Sequence, residues 1–446
     1  MKSAQNDMTV GNPMKIIFGF TLPIFIGNVF QQFYNMADAV IVGKFVGNKA
    51  LAAVGSTGTI MFLIYGFVVG MTAGFTVLTA QKFGAGDMKG MRKTVAGAGI
   101  LSFVVGALLT ILFMVFMKPL LILMNTPSDI FADAYSYIMI VSGGILAQML
   151  YNLLSSILRA LGNSKLPLVF LIISALLNIV LDLVFIVGFG MGAKGAAVAT
   201  VIAQGVSGIL CLFYIIAKIP ILHLKREDLD VGSTIYKNQL RIGVPMALQY
   251  SITAIGSVVL QTGINTLGSA AVASVSAASK LSMFLACPFD AIGSAMATYT
   301  GQNVGAGKIE RIGQGLKASV LIGITYSILI FLVMLFSAKY WMLLFINASE
   351  TEIIHNAVLF ILANSGFYIA LVFVNAVRFT IQGAGFSGLA ILAGVMEMIA
   401  RAIIGVIMVP YLGFASVCFA SPLAWIMADC FLIPAYCHVI RKLKQR

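Results

Sequence analysis

Thr79-Ala-Gln-Lys-Phe-Gly-Ala-Gly86 returns 221 residues later as Thr300-Gly-Gln-Asn-Val-Gly-Ala-Gly307. Leu51-Ala-Ala-Val-Gly-Ser-Thr-Gly58 returns at the same offset of 221 as Val272-Ala-Ser-Val-Ser-Ala-Ala-Ser279. Gly192 and Ala199 pair with Gly413 and Ala420 at 221, and Leu22-Pro23-Ile24 pairs with Val244-Pro245-Met246 at 222. A shared offset at several places marks a duplicated chain. Each copy lies in or beside a long apolar segment, so the duplicated unit is a group of membrane helices.

Composition agrees. Hydrophobic residues make up 60% of the chain and charged residues 10%, against about 25% charged in a soluble domain. The 446 residues suffice for about twelve spans of about 20 residues each, which leaves no room for a soluble domain. The expected fold is therefore all-α and integral to the membrane: twelve transmembrane helices in two pseudo-symmetric six-helix bundles. The formal charge of +13 does not imply nucleic acid, because the positive residues sit at segment ends rather than among aromatics in a polar domain.

Hydropathy and breaker residues predict helices over 14–43, 50–81, 94–117, 131–157, 165–188 and 194–217, then over 239–265, 271–302, 315–337, 354–380, 387–409 and 415–438. The expected organisation is an amino-terminal lobe at 1–217, a cytoplasmic connector at 218–238 and a carboxy-terminal lobe at 239–446. With both termini inside, the inner stretches hold 21 Lys and Arg, Arg378 among them, and the outer stretches five. That imbalance predicts a multi-pass protein of the cell membrane with both termini cytoplasmic. An even number of spans per half makes the halves parallel. The polar start, Met1 to Pro13, runs into a helix longer than a signal peptide, so no cleavable signal is expected. Pro23 and Pro245 interrupt the first helix of each half at matched places, which points to a shared bend or hinge. Glycines such as Gly66, Gly70 and Gly74, at four-residue spacing, predict close helix packing.

An ionisable side chain near mid-membrane costs about 2.5–3.5 kcal/mol on insertion scales, so such residues need a reason. They are Asp38, Asp182, Lys280, Asp290, Glu397, Arg401 and Asp429. In the first helix Gln31, Tyr34, Asn35 and Asp38 fall on one polar face. In the fifth, Asn178 and Asp182 are four apart and share a face, and Thr200 of the sixth adds a hydroxyl. If these helices meet, two carboxylates, an amide and a hydroxyl surround a dry polar pocket. Such a pocket suits a proton or a small hard cation, since burial and a second carboxylate both favour the protonated form of an acid.

The second half differs. Glu397 and Arg401 occupy the region equivalent to Asn178–Asp182 and can pair with each other, either as a structural ion pair or in a substrate or gating role. Asp290 and Lys280, ten residues apart on the eighth helix, are further candidates for substrate contact or gating. Asp429 reads as interfacial or packing.

Several functions are excluded or left without support. Val304-Gly-Ala-Gly-Lys308 lacks the spacing and the following Ser or Thr of a phosphate loop, so ATP is not expected to drive this chain directly. No nucleophile–base constellation stands out, and no enzyme is expected. The five cysteines (Cys211, Cys287, Cys418, Cys430, Cys437) lie in apolar runs without metal spacing, and His223, His355 and His438 are scattered. The 23 methionines and 31 phenylalanines offer adaptable apolar surface.

The run Gln32-Phe-Tyr-Asn-Met-Ala-Asp-Ala-Val-Ile-Val-Gly43 followed by Lys44-Phe-Val-Gly47, the paired Gln81 and Gln302 elements, and the loops Arg159-Ala-Leu-Gly-Asn-Ser164 and Gln382-Gly-Ala-Gly-Phe-Ser387 resemble the multidrug and toxic compound extrusion (MATE) family over nearly the whole chain. The resemblance implies a proton- or sodium-coupled antiporter that exports cationic, lipophilic compounds by alternating access. It implies an amino-lobe cation site at Asp38, Asn178, Asp182 and Thr200, the same four being the metal ligands if sodium is the coupling ion, and a bend at Pro23. The supporting polar face would be Gln31, Tyr34 and Asn35. Another branch of the family carries acids in the seventh and tenth helices. This chain has Gln249, Gln261, Asn364 and Asn375 there, which favours the amino-lobe branch. The expected partners are cationic small molecules and the lipid bilayer, without cofactor or nucleic acid, acting as a monomer. The alternative is a lipid-linked oligosaccharide or polysaccharide flippase of the wider superfamily, which would want a cationic cavity that Lys280 and Arg401 alone scarcely supply.

Overall fold

A computed structural model of the chain describes residues 6–124 and 126–445, apart from the side chain of Asn48. Among these residues the secondary structure is helical throughout. The first half holds α1 (Pro13–Phe45), α2 (Asn48–Ser56), α3 (Gly58–Gly84), α4 (Met88–Leu123), α5 (Ser128–Gly143), α6 (Ile145–Ala160), α7 (Lys165–Asp182) and α8 (Ala193–Lys218). The second half holds α9 (Ser233–Asn265), α10 (Ser269–Gly305), α11 (Ile309–Met342), α12 (Thr351–Gly366), α13 (Tyr368–Gly383), α14 (Ser387–Ala402), α15 (Val409–Leu412), α16 (Phe414–Cys418) and α17 (Ala420–Lys444). Ten of the described segments are long and apolar enough to cross a membrane singly. Two bent pairs, α5 with α6 at 47° and α12 with α13 at 50°, bring the total to twelve.

The duplication is visible in backbone detail. A π-helical segment follows α7 at Leu183–Gly188, and another follows α14 at Ile403–Met408. Gly192 has φ 61° and ψ −144°, and Gly413, 221 residues on, has φ 59° and ψ −144°. A Cβ is disfavoured in that conformation, so glycine is required at both places.

The described residues gather into two compact units, and the division does not follow the cut at 218–238. One unit gathers Ile26–Ala247 with Asn6 and Asp7; the other gathers Met8–Phe25 and residues 248–445. The leading part of α1 thus packs among helices of the second half, and the leading part of α9 among those of the first. The two changes of unit that fall inside helices lie just past a proline, Pro23 in α1 and Pro245 in α9.

The contacts give the reasons. In the first unit a Cβ on Gly70 would lie 2.6 Å from the Met246 carbonyl oxygen, and one on Gly74 would lie 2.4 Å from Gly243 Cα. Only glycine lets α3 and α9 approach that closely. Gln239 is fully buried and donates to the carbonyls of Thr94 (2.7 Å) and Phe75 (3.2 Å). In the second unit Ile17, Phe20 and Ile24 of α1 share a core with Ala291, Ala295 and Tyr299 of α10. There the Met8 N–H donates to Gln302 Oε1 at 2.9 Å and Lys308 Nζ to the Thr9 carbonyl at 2.9 Å. The repeated motif Thr300–Gly307 therefore fastens the segment that precedes α1.

The connector is shorter than expected. Helix α9 begins at Ser233, five residues before the predicted boundary at Asn238, and short 3-10 turns occupy Pro220–Leu222 and Arg226–Leu229. Asp228 accepts from the Lys225 N–H at 2.9 Å and from Arg92 Nε at 3.0 Å, which ties the connector to α4. These contacts, the Lys225 N–H first, hold its carboxyl below the usual carboxylate range.

Candidate cation-coupling site

Helices α1, α7 and α8 supply the expected polar residues within the first unit. The carboxyl groups of Asp38 and Asp182 lie within hydrogen-bonding reach of one another. Asp182 is fully buried and Asn178 is 2% exposed. Asn178 Nδ2 donates to Thr200 Oγ1 at 3.4 Å, and the Thr200 hydroxyl donates to the Ala196 carbonyl at 2.9 Å. Asp182 closes α7, at the start of the π-helical segment, a backbone irregularity common at functional sites.

Both Asp182 oxygens, Asp38 Oδ1 and Asn178 Oδ1 are buried acceptors without a hydrogen-bond donor. Ionised carboxylates only accept, so two that face each other cannot satisfy themselves. A proton shared between them, or a cation held by their oxygens, would supply what is missing. No group of three or more His, Cys, Asp and Glu side chains suited to a metal occurs among the described residues, and the four oxygen-bearing residues here include only two acids.

Tyrosines complete the surroundings. Gln31 Nε2 donates to the Tyr65 hydroxyl, and Tyr34 lies within electrostatic range of Tyr65, Asp38 and Tyr137. Tyr137 of α5 lies within range of both acids. Tyr65 and Tyr137 were not legible as site residues, because a lone tyrosine in an apolar helix carries no spacing signal. Asn35 departs from the expected polar face: it is exposed, whereas Gln31, Tyr34 and Asp38 are half-buried. Steps of three and four along a helix precess, and Asn35 sits on the far edge of the stripe. A groove of about 890 Å³ in the first unit, lined by residues such as Phe103, Leu150 and Ile209, is apolar and includes none of these side chains.

In the second unit Glu397 accepts from Arg401 Nη2 at 3.3 Å, the pairing the spacing suggested. The spacing does not show a second partner: Arg378 of α13 also donates to Glu397, through a buried ion pair. Arg378 had been counted with the inner stretches; it is instead 6% exposed within α13. The charged group acting on Asp290 is this same Arg378, and not Lys280. Asp290 and Lys280 are both exposed. Asp429, expected to be interfacial or to serve packing, stands within electrostatic range of Arg378 and Glu397.

The sequence signature of the MatE family matches residues 23–184 and again 242–409. The chain belongs to the MatE family. The two matched stretches are the two copies of the repeat. Among curated relatives, "Probable multidrug resistance protein YpnP" of Bacillus subtilis (strain 168) is 34% identical over 316 residues, 69% of this chain and 68% of the relative. "Probable multidrug resistance protein YoeA" of the same organism is 28% identical over 350 residues, 77% of this chain and 75% of the relative. Among solved structures, a MATE in complex with MaL6 superposes with a TM-score of 0.93 at 23% identity, over 100% of both chains. This MatE chain is thus a multi-pass membrane transporter with the MATE fold.

Proposed function

We propose that this MatE protein is an antiporter of the cell membrane that exports cationic, lipophilic compounds in exchange for protons or sodium ions. Its relatives carry the names of multidrug resistance proteins, which supports drug export. The observation that carries the coupling is the Asp38–Asp182 pair, two buried carboxyls whose oxygens lack donors. Binding a proton or Na+ there neutralises like charges held in a medium that solvates them poorly. Asn178 and Thr200 complete the oxygen set. Both acids stand on helices of one unit, and α1 carries Pro23 fifteen residues before Asp38. Loading the pair is therefore read as a bias on α1 that lowers substrate affinity toward the outer face, in an alternating-access cycle. The gradient supplies about 2.3 kcal/mol per charge per 100 mV, plus its concentration term. Both termini face the cytoplasm in this reading, as the Lys and Arg distribution requires.

The test is dye efflux from proteoliposomes under imposed pH or Na+ gradients. Wild type exports against the gradient, and Asp38→Asn folds but loses active efflux. Full-rate efflux by Asp38→Asn would refute the coupling. Dependence on the Na+ gradient at fixed pH, or the reverse, identifies the ion. The flippase alternative is the less favoured reading, because Arg378 and Arg401 share the one carboxylate of Glu397.

A further inference from the structure

We propose that Asp429 is a second proton-binding carboxylate, built into the other unit beside the Arg378–Glu397–Arg401 triad. The inference extends the ion-coupled reading above, but it stands on different residues. Helices α13, α14 and α17 bring the group together. Both guanidiniums converge on the one carboxylate of Glu397. Arg378 is 6% exposed and Arg401 9%. Each still has a buried N–H without a partner, Nε of Arg378 and Nη1 of Arg401, and Asp429 Oδ1 is a buried acceptor without a donor. A static ion-pair lattice would satisfy such groups, since buried charges left unpaired are costly.

The charge count indicates what is missing. Three carboxylates act within this network: Glu397 bonded to both arginines, Asp429 near Arg378 and Glu397, and Asp290 near Arg378. Against them stand two guanidiniums, so the fully ionised network carries one excess negative charge. One bound proton makes it neutral, and neutrality is the cheapest state for a group in the membrane. Glu397 already has both arginines bonded to it and Asp290 is exposed, whereas Asp429 has a buried oxygen without a donor, which points to Asp429 as the carrier. A metal ion is a poor alternative beside two arginines, whereas a proton resides on a single oxygen.

Among the elements packed on α17, the charged groups acting on Asp429 are Arg378 of α13 and Glu397 of α14, with Arg401 joined through Glu397. The charged residues of α11 and α12, such as Lys317, Lys339, Glu352 and His355, lie toward the ends of those helices, and α16 carries none. The geometry has a switching consequence. Deprotonated, Asp429 competes with Glu397 for Arg378, whose Nε–H is free to receive it. Protonated, it surrenders Arg378 to Glu397, which is the arrangement in this structure. A proton would thus move an arginine between partners on α14 and α17.

The test is infrared difference spectroscopy of the purified full chain across a pH titration, paired with transport stoichiometry from reversal potentials in proteoliposomes. The expected result is a carbonyl band of a protonated carboxyl that vanishes in Asp429→Asn, returns in Asp429→Glu, and persists in the Asp38→Asn/Asp182→Asn double variant. Protons moved per substrate should fall by one in Asp429→Asn. If Asp429→Asn does not fold, aspartate labelled at its carboxyl carbon is introduced into the double variant, where a band that shifts with the label supports the site and the lack of one overturns it. A band unchanged in Asp429→Asn, with unchanged stoichiometry, also overturns it and leaves the Asp38–Asp182 reading intact. Loss of coupling in Asp38→Asn with the Asp429 band retained supports both. Retained coupling in Asp38→Asn refutes only the first.

Discussion

At the scale of single residues, the two halves solve the cost of buried charge in opposite ways. Asp38 and Asp182 are like charges brought together, while Glu397 is bonded to two arginines. Removing Glu397 would leave two nearly buried guanidiniums without the carboxylate to which both are bonded. Glu397→Gln is expected to destabilise the protein by about 3–5 kcal/mol, the range for breaking a buried ion pair from one side, read as a lowered melting temperature in detergent. Replacing Glu397, Arg378 and Arg401 together with apolar residues of similar size should cost far less; an equal loss would show that the charges do more than satisfy each other. The sequence made half of this visible. Glu397 and Arg401 were legible because a helix puts residues four apart on one face. Arg378 was not, because its partner lies 19 residues away across the loop between α13 and α14, and a lone arginine near the predicted end of a span reads as a topology signal. Asp38 and Asp182 were legible as costly residues on faces with Gln31 and Asn178. That they meet depends on the packing of α1 against α7, for which periodicity has no information.

At the scale of elements, close approach of helices rests on positions that exclude a side chain. Gly74→Val forces a branched side chain against Gly243 Cα, where even a Cβ would lie at 2.4 Å. Overpacking of this kind costs about 1–3 kcal/mol, so the variant should show a lowered melting temperature. Gly99→Ala in α4 meets nothing within 4 Å and should leave it unchanged or slightly higher; equal losses in the two variants would contradict the packing account. The connector supplies a pH prediction. Because the folded carboxyl of Asp228 titrates below its unfolded value, its contribution is full above the unfolded pKa of about 3.9 and is lost as pH falls through the folded value. Hydrogen exchange across 219–232 should therefore rise on acidification below about pH 4. Asp228→Asn should exchange fast already at neutral pH, with little further change. Helix existence was legible along nearly the whole chain, since apolar length is a strong signal. The break in the fourth span falls at Gly143-Gly144 and that in the tenth just past Gly366, glycines that the continuous apolar pattern masks; the π-helical segments carry no such mark in the sequence.

At the scale of the molecule, the repeat was legible and the composition of the units was not. A polar connector invites a cut at 218–238, yet Met8–Phe25 belongs with residues 248–445 and Ser233–Ala247 with the first unit. Apolar pattern records that a helix is buried and leaves open which neighbours bury it. A fragment ending at residue 217 lacks Gln239, Gly243 and Met246, and so the partners of Phe75, Gly74 and Gly70. That fragment should be digested readily in membranes by added protease, whereas one extended to residue 265 should resist; equal sensitivity would deny the exchange of segments. The same exchange sets a timetable for biogenesis. The ribosome must pass the connector and translate the head of the seventh span before the earlier unit has all its parts. The residues leading into the first span, made at the outset, wait for companions such as Gln302, which is made 294 residues after Met8. Nascent chains stalled at the connector would then be natural clients for insertion chaperones.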